Sequence, residues 1–471
     1  MSIKQSTHIH MVGIGGTGLS AIALYLIESG YKVTGSDRQF SSLAQRVETA
    51  GGKIYVGHKS DQILGADLVI RSSAISDENV EIVEAQSVGI PVYKRSEFLG
   101  KMMEGYQAIA VAGTHGKTTT TAMITWMLIA AGLDPSYIIG GVSKNLGSNA
   151  HAGDDSIFVI EADEYDHMFL GLQPQIAVIT TIEYDHPDCF PTPDDFYQAF
   201  IDFVSRLSSN GVLLICMDER NTLRFIEEVK YQGKETITYG LKTNLDGSKP
   251  DFWGTNLEVQ GNGTFAFEVI HEESNLARIF LQVPGRHNVQ NAIATFAVGH
   301  RLGISADTIA SALSDFTGVD RRFEVRGEID GVIVVDDYAH HPTEIRATLS
   351  AARDRYPEHE LWAVWQPHTY SRTIVYFNDF VNSFQDADHV IVTKTYAARE
   401  AIHSSEIEDD LVREMNHPDV RFIEDLNQVS VFLSKHLHKD SVVMILSAGN
   451  AYQLGSRLLE DLSTNSKTLD E

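Results

Sequence analysis

Residues 108–121 read AIAVAGTHGKTTTT: an apolar strand, a turn carrying Gly113 and Gly116, a lysine, and four threonines that enter a helix. The glycines Gly113 and Gly116 let the backbone turn so that amides point inward. Lys117 adds a point charge, and Thr118 and Thr119 bring hydroxyls to a helix N-terminus. These parts fit a nucleoside triphosphate with magnesium. The full phosphate-loop pattern wants a glycine five positions before Gly116, where Val111 stands, so the loop is a shortened relative. A strand that delivers its chemistry at its carboxyl end belongs to an open parallel sheet, which sets the fold class as α/β.

Working outward, the chain repeats this rhythm on both sides. Upstream, HIHMVGI, KVTGSD, DLVIRSSA and PVYKR alternate with helical stretches such as GLSAIALYLIESG, as strands and crossover helices of a Rossmann-like sheet do. Downstream, IFVIEADEYD, QIAVITTIEYDH and GVLLICMDE continue the central block, and the alternation in TFAFEVI and ARIFLQVPG predicts an added antiparallel piece within about 232–280. A third block carries GVIVVDDYAHH, LWAVWQPHTYSR, HVIVTKTYAARE and VVMILSAGNA, each strand ending in a polar cluster. At 471 residues, and about 150 residues per domain, the expectation is three lobes: 1–104, 105–315 and 316–471. The tail STNSKTLDE is expected to be frayed.

Composition excludes several classes of partner. A formal net charge of −27 disfavours nucleic acid and anionic membranes, which are bound through positive patches. No apolar run reaches the roughly 20 residues that span a bilayer, and the opening lacks a signal-peptide core. The two cysteines, Cys189 and Cys216, are too few for a disulfide framework or zinc site, so a reducing cytoplasm is expected. Any anionic substrate must be held by local donors and metal.

The strand ends supply the candidates. Glu161 follows an apolar strand and can reach a metal held by Thr118; Glu183, Asp185 and His186 end the next strand. Cys189 has no identifiable base beside it and reads as a bystander. Arg321 and Arg322 stand near a lobe junction, within reach of phosphate oxygens. Asp336, Asp337, Tyr338, His340 and His341 precede a helix and can cap it, bind nucleotide or polarise an acceptor. His368, Tyr370 and Arg372 end another strand. Arg286, His287, Asn288 and Asn291 open a helix whose polar side chains can meet a purine edge, with Asn288 a candidate N-cap. The opening GIGGTG places Gly13, Gly15 and Gly18 after a strand, with Asp37 ending the next one. That spacing admits a dehydrogenase, yet it guarantees only that a diphosphate can approach backbone amides at a helix N-terminus. A phosphate-loop ATPase acting as a switch would explain the centre and leave the first lobe unused.

Taken together, GTHGKTTTT, EADEYD, YDHPD, GRHNVQNAIA, VDRRFE, DDYAHHPTEI and QPHTYSRT, in that order across nearly the whole chain, resemble the Mur ligases of peptidoglycan synthesis, with the alanine-adding branch the best fit. The resemblance implies Rossmann-like outer lobes around a central ATPase lobe, ATP and Mg2+ as cofactors, and UDP-N-acetylmuramate and L-alanine as substrates joined through an acyl phosphate. It implies sugar-nucleotide contacts at Gly15, Gly16, Thr17, Gly18, Asp37, Ser72 and Ser73. Nucleotide contacts would come from residues 113–119, His287, Asn291, Arg322 and Asp337, and metal contacts from Thr118, Glu161 and His186. Tyr338, His368 and Arg372 would face the substrates, and Lys117, His186, His341 and Arg372 would be catalytic. No lysine lies between Phe196 and Asp218, so the carbamylated metal-bridging lysine of several sister ligases is not expected here. The motifs depart from the alanine-adding pattern at Tyr165 and Thr369, and Tyr165 resembles the tripeptide ligase of cell-wall recycling, the alternative acceptor reading.

Overall fold

The computed structural model describes residues 7–231, 233–243, 247–398, 400 and 407–469. Its strands fall into three sheets. The first is wholly parallel: β1 (His8–Val12), β2 (Lys32–Asp37), β3 (Lys53–Val56), β4 (Leu68–Arg71) and β5 (Val92–Lys94), in the order β3-β2-β1-β4-β5. Sequence reading overlooks β3, because this edge strand of four residues buries neither face fully. The order reverses between β1 and β4, which opens a crevice at their carboxyl ends, where open α/β sheets bind ligands.

The second sheet contains β6 (Gln107–Ala112), β7 (Ser136–Ile138), β8 (Ala150–His151), β9 (Ile157–Glu161), β10 (Ile176–Ile179), β11 (Val212–Cys216), β12 (Glu235–Gly240), β13 (Phe252–Val259), β14 (Thr264–His271) and β15 (Ser274–Pro284). β6 lies between β9 and β10, parallel to both. Its run Ala108–Ala112 is buried, as a strand covered by helices on both faces must be. The predicted antiparallel addition is the meander β13-β14-β15, and along β15 exposed and buried residues alternate. The helix Lys117–Ala130 leaves β6 through the glycine turn and packs beside the helix Arg286–Arg301.

The third sheet is β16 (Glu324–Ile329), β17 (Val332–Asp337), β18 (Glu360–Trp365), β19 (His389–Val392), β20 (Val420–Phe422) and β21 (Ser441–Leu446), in the order β16-β17-β21-β18-β19-β20, antiparallel only at β16–β17. The tail differs from the sequence expectation. Residues 463–469 continue the helix Gln453–Leu469, because Leu454 and Leu458 bury against the sheet and Leu462 packs beside them, carrying the polar last turns along. Residues 470 and 471 lie outside the described residues. Among the described residues, no helix is long and apolar enough to cross a membrane.

Candidate active site

The first-lobe loop prepares an anion site. Gly13 turns with φ +87°, and a Cβ there would press on Ser72, which leaves β4 across the crevice. The helix Thr17–Glu28 starts at Gly16 with no side-chain cap and no acidic residue in its first turn, so its amides stay available to a ligand. Asp37 turns its carboxylate onto the loop itself, accepting the Gly15 amide at 2.9 Å. Ser73 is exposed beside Ser72. The structure therefore gathers Gly15, Gly16, Thr17, Gly18, Asp37 and Ser72 at one strand-end crevice.

The central loop is built more tightly. Gly113 (φ +130°) and Gly116 (φ +80°) adopt left-handed backbone that favours glycine; a Cβ on Gly116 would lie 2.7 Å from the Asn291 amide oxygen. The helix Lys117–Ala130 also lacks a side-chain cap. Lys117 Nζ donates to the carbonyls of Gly113 (2.6 Å) and Thr114 (3.2 Å) and to Glu164 (2.9 Å). Glu164 is wholly buried. Burial works against the ammonium, but Glu164, Asp163 and Glu161 together raise it above the usual lysine value. Thr118 Oγ1 donates to Glu161 at 3.0 Å, and the other Glu161 oxygen accepts the Gly140 amide at 2.7 Å. A hydroxyl beside a carboxylate is a hard-oxygen pair suited to Mg2+. The third expected metal residue, His186, has φ +56° and brings Nε2 to 3.7 Å from Glu164.

Two of the contacts that dock the third lobe onto the central one are centred on His115 and Arg372. His115 lies between Glu183 (Nε2 to Oε2, 2.8 Å) and Glu344 (Nδ1 to Oε1, 3.2 Å). Burial opposes its charge, but the two carboxylates raise its pKa to about 9. His341 caps the helix Pro342–Arg355 by accepting the Thr343 amide, with Glu344 closing a capping box. Its Nδ1 is 3.9 Å from Glu183. Ligand atoms of His115, Glu183 and His341 lie within 4.8 Å of one another, but with both His115 nitrogens bonded to carboxylates the group is an ion-pair cluster.

The second contact is Arg372, 2% exposed, whose Nε donates to Asp185 at 2.8 Å. Its Nη1 is 3.0 Å from His368 Nδ1 and its Nη2 is 3.5 Å from His186 Nδ1. Burial pushes Asp185 up, but Arg372 followed by His186, His341 and His340 holds it well below the usual carboxylate range. Burial lowers His340 to about 4 and His368 to about 2, so both are neutral at pH 7. Arg321 and Arg322 flank the Tyr338 ring, each 5.0 Å from its centroid. Asp337 accepts the amides of Phe323 (2.7 Å) and Ala339 (2.8 Å), anchoring the turn that carries Arg322. A cavity of 170 Å3 between the lobes is lined by Thr119, Asn288, Val319, Arg322 and Phe323 among others. His287, lowered by burial to about 4, folds back over Gly285. Asn288 is not the N-cap: Gly285 is, and the Asn288 amide donates to Pro284 O at 2.7 Å.

Comparison with known proteins agrees with this architecture. The Mur ligase family catalytic domain matches residues 8–107, the Mur ligase middle domain 111–299, and the Mur ligase glutamate ligase domain 321–449. The UDP-N-acetylmuramate–L-alanine ligase of Caldanaerobacter subterraneus subsp. tengcongensis is 39% identical over 465 residues, covering 98% of this chain and 99% of the relative. The chain belongs to the Mur ligase family. A second relative, the UDP-N-acetylmuramate–L-alanine ligase of Geobacter sp. strain M21, is 42% identical over 96% of each chain. Among solved structures, the UDP-N-acetylmuramate–alanine ligase of Thermotoga maritima aligns with TM-score 0.82 and a murein peptide ligase of Psychrobacter arcticus with 0.74. Each is 27% identical and covers 97% of this chain and 99% of its own.

Four residues of this Mur ligase site escape sequence reading. Glu164 sits three positions after Glu161 in the same acidic motif, and that motif was the available signal. Glu344 follows the paired histidines as the last position of a capping box. Tyr376 donates its hydroxyl to Tyr184 O across the lobes, and Arg95 opens a first-lobe helix; neither carries a local signal.

The histidines make stability depend on pH in both directions. His115 binds its proton more tightly folded than unfolded, so its contribution is fully present below about pH 6.5 and is lost as pH rises through about 9, with an upper bound of about 3 kcal/mol. His287, His340, His341 and His368 are lowered, so they favour the fold above about pH 6.5 and lose that contribution as pH falls through their folded values. Melting temperature is expected to peak near neutral pH, and His115→Gln should flatten the alkaline side. An alkaline slope unchanged in that variant would remove His115 from the account.

Proposed function

We propose that this Mur ligase couples ATP cleavage to amide formation between UDP-N-acetylmuramate and L-alanine in the cytoplasm, giving the alanyl precursor of peptidoglycan. The observation that carries the reading is the convergence of two uncapped glycine loops with the docked Arg372 cluster. One loop suits a diphosphate, the other a triphosphate. Relatives near 40% identity that carry the alanine-ligase name over almost their full length favour alanine over a tripeptide. The lobes are taken as 1–104, 105–315 and 316–471.

The site fits ATP and Mg2+, because no side chain caps the helix that starts at Gly116, Lys117 is charged, and Thr118 and Glu161 present oxygen ligands. When bound, ATP supplies the phosphoryl group that gives the sugar carboxylate a leaving group, and Mg2+ supplies charge at the phosphates. Residues 113–119, with Lys117 supplying the charge, would hold the polyphosphate and offset its charge, the main catalytic contribution in phosphoryl transfer. Thr118 and Glu161 hold the metal, with His186 beside them. Asn291 and His287 border the nucleotide, and Arg322 reaches it from the third lobe. Arg372 presents a fixed cation to the carboxylate of the amino acid with His368 Nδ1 accepting from it, while neutral His340, whose Nδ1 donates to Tyr338 O, offers its Nε2 lone pair toward the amine. The docked lobes exclude water from an intermediate that water would destroy.

If the sugar carboxylate carries oxygen-18, one labelled oxygen is expected in each phosphate released. Unlabelled phosphate would rule out carboxylate attack on ATP. For the metal, Glu161→Ala is expected to raise the magnesium concentration for half-maximal rate roughly tenfold or more, the loss of one charged ligand. An unchanged magnesium titration would move the ion elsewhere.

A further inference from the structure

Arg95 begins the helix Arg95–Met102 that follows β5, yet its side chain lies over the glycine loop after β1. A Cβ on Gly18 would overlap its guanidinium, so only glycine lets Arg95 rest on the first turn of the helix Thr17–Glu28. From there its Nη2 reaches Asp163 of the central lobe at 3.1 Å, with 17% of the arginine side chain exposed. Its Nε is buried and has no partner. Burial would raise Asp163, but Arg95 first and then Lys117 and His186 bring it below its usual value. Asp163 is followed directly by Glu164, the partner of Lys117. Two consecutive carboxylates thus hold one cation that lies over the first glycine loop and one that belongs to the second.

We propose, building on the ligase reading, that Arg95 is a positioning residue that binds the sugar-nucleotide diphosphate and transmits its presence to the ATP loop through Asp163 and Glu164. A guanidinium presents five donors in a planar fork. Arg95 spends one on Asp163 and keeps a buried, unpartnered Nε at the mouth of an anion site. A diphosphate on the Thr17 and Gly18 amides takes up the free Nε while Nη2 stays on Asp163, so the fork ties the two together. That tie fixes the Asp163–Glu164 pair and, through Glu164, holds the Lys117 ammonium where the triphosphate needs it. Loading of the first lobe thereby prepares the second.

The test measures binding to the full-length protein by calorimetry, using UDP-N-acetylmuramate alone, a non-hydrolysable ATP analogue with Mg2+ alone, and each in the presence of the other. In the wild type, each ligand is expected to tighten the other by at least about fivefold, reciprocally. Arg95→Ala should weaken the sugar nucleotide by roughly tenfold to a hundredfold, the usual loss for a charged hydrogen bond, leave the ATP analogue alone within about twofold, and abolish the coupling. Arg95→Lys should recover part of the affinity and none of the coupling, since an ammonium cannot bridge as a fork does. Asp163→Asn should keep sugar-nucleotide affinity and lose coupling, a split that a merely structural role would not produce. Unchanged affinity and coupling in folded Arg95→Ala would overturn the proposal. A wild type that ignores the sugar nucleotide altogether would instead overturn the ligase reading.

Discussion

Lys117→Ala is expected to lower the rate of ligation by about a thousandfold or more, equivalent to about 4 kcal/mol of transition-state stabilisation. The ammonium is built into the central loop, held by two loop carbonyls and Glu164, and the whole chain carries a formal net charge of −27. Without it the polyphosphate meets a buried carboxylate with nothing to neutralise it. Stability should also fall, since breaking a buried pair leaves one charge uncompensated at a cost of about 3–5 kcal/mol, less whatever Glu164 recovers by taking up a proton. Lys117→Ala combined with Glu164→Gln should therefore regain much of the melting temperature and none of the activity. Near-normal turnover in the single variant would remove Lys117 from the phosphate site.

Arg372→Ala should cut turnover at least about a hundredfold and raise the KM for the amino acid, because on the proposed reading one guanidinium both docks the third lobe and faces the acceptor. Its removal strands Asp185, 3% exposed, beneath neutral His340 and His368. A loss of about 3–5 kcal/mol in stability is expected for the stranded charge. Arg372→Lys should not restore the rate, since a lysine cannot reach Asp185, His368 and His186 together from one planar group. Adding Asp185→Ala should return stability without activity. Steady-state kinetics beside thermal melts separates these outcomes, and an unchanged amino-acid KM would mean that Arg372 is a docking residue alone.

The parts of the site made by local backbone were legible in the sequence. The phosphate loop announces itself because a strand, two glycines, a lysine and a threonine must be contiguous to cradle phosphate. Glu161 and Asp185 were visible as polar residues ending apolar strands, and the antiparallel meander as alternation. The short edge strand β3 and the last turns of the terminal helix were not, because each is held by neighbours rather than by its own pattern. Contacts across lobes were equally hidden. His115 meets Glu344 across 229 residues, Arg372 meets Asp185 across 187 and Arg95 meets Asp163 across 68; no periodicity carries such pairings. Asn288 shows the opposite error, a residue type suited to capping that sits inside the helix.

The most direct test of the central claim is phosphate release from ATP with magnesium and UDP-N-acetylmuramate, measured in parallel with L-alanine, glycine, L-serine and a murein tripeptide. Release that requires the sugar nucleotide and is fastest with L-alanine is the predicted result. Release supported by the tripeptide and not by alanine would contradict it and move the enzyme to the recycling branch.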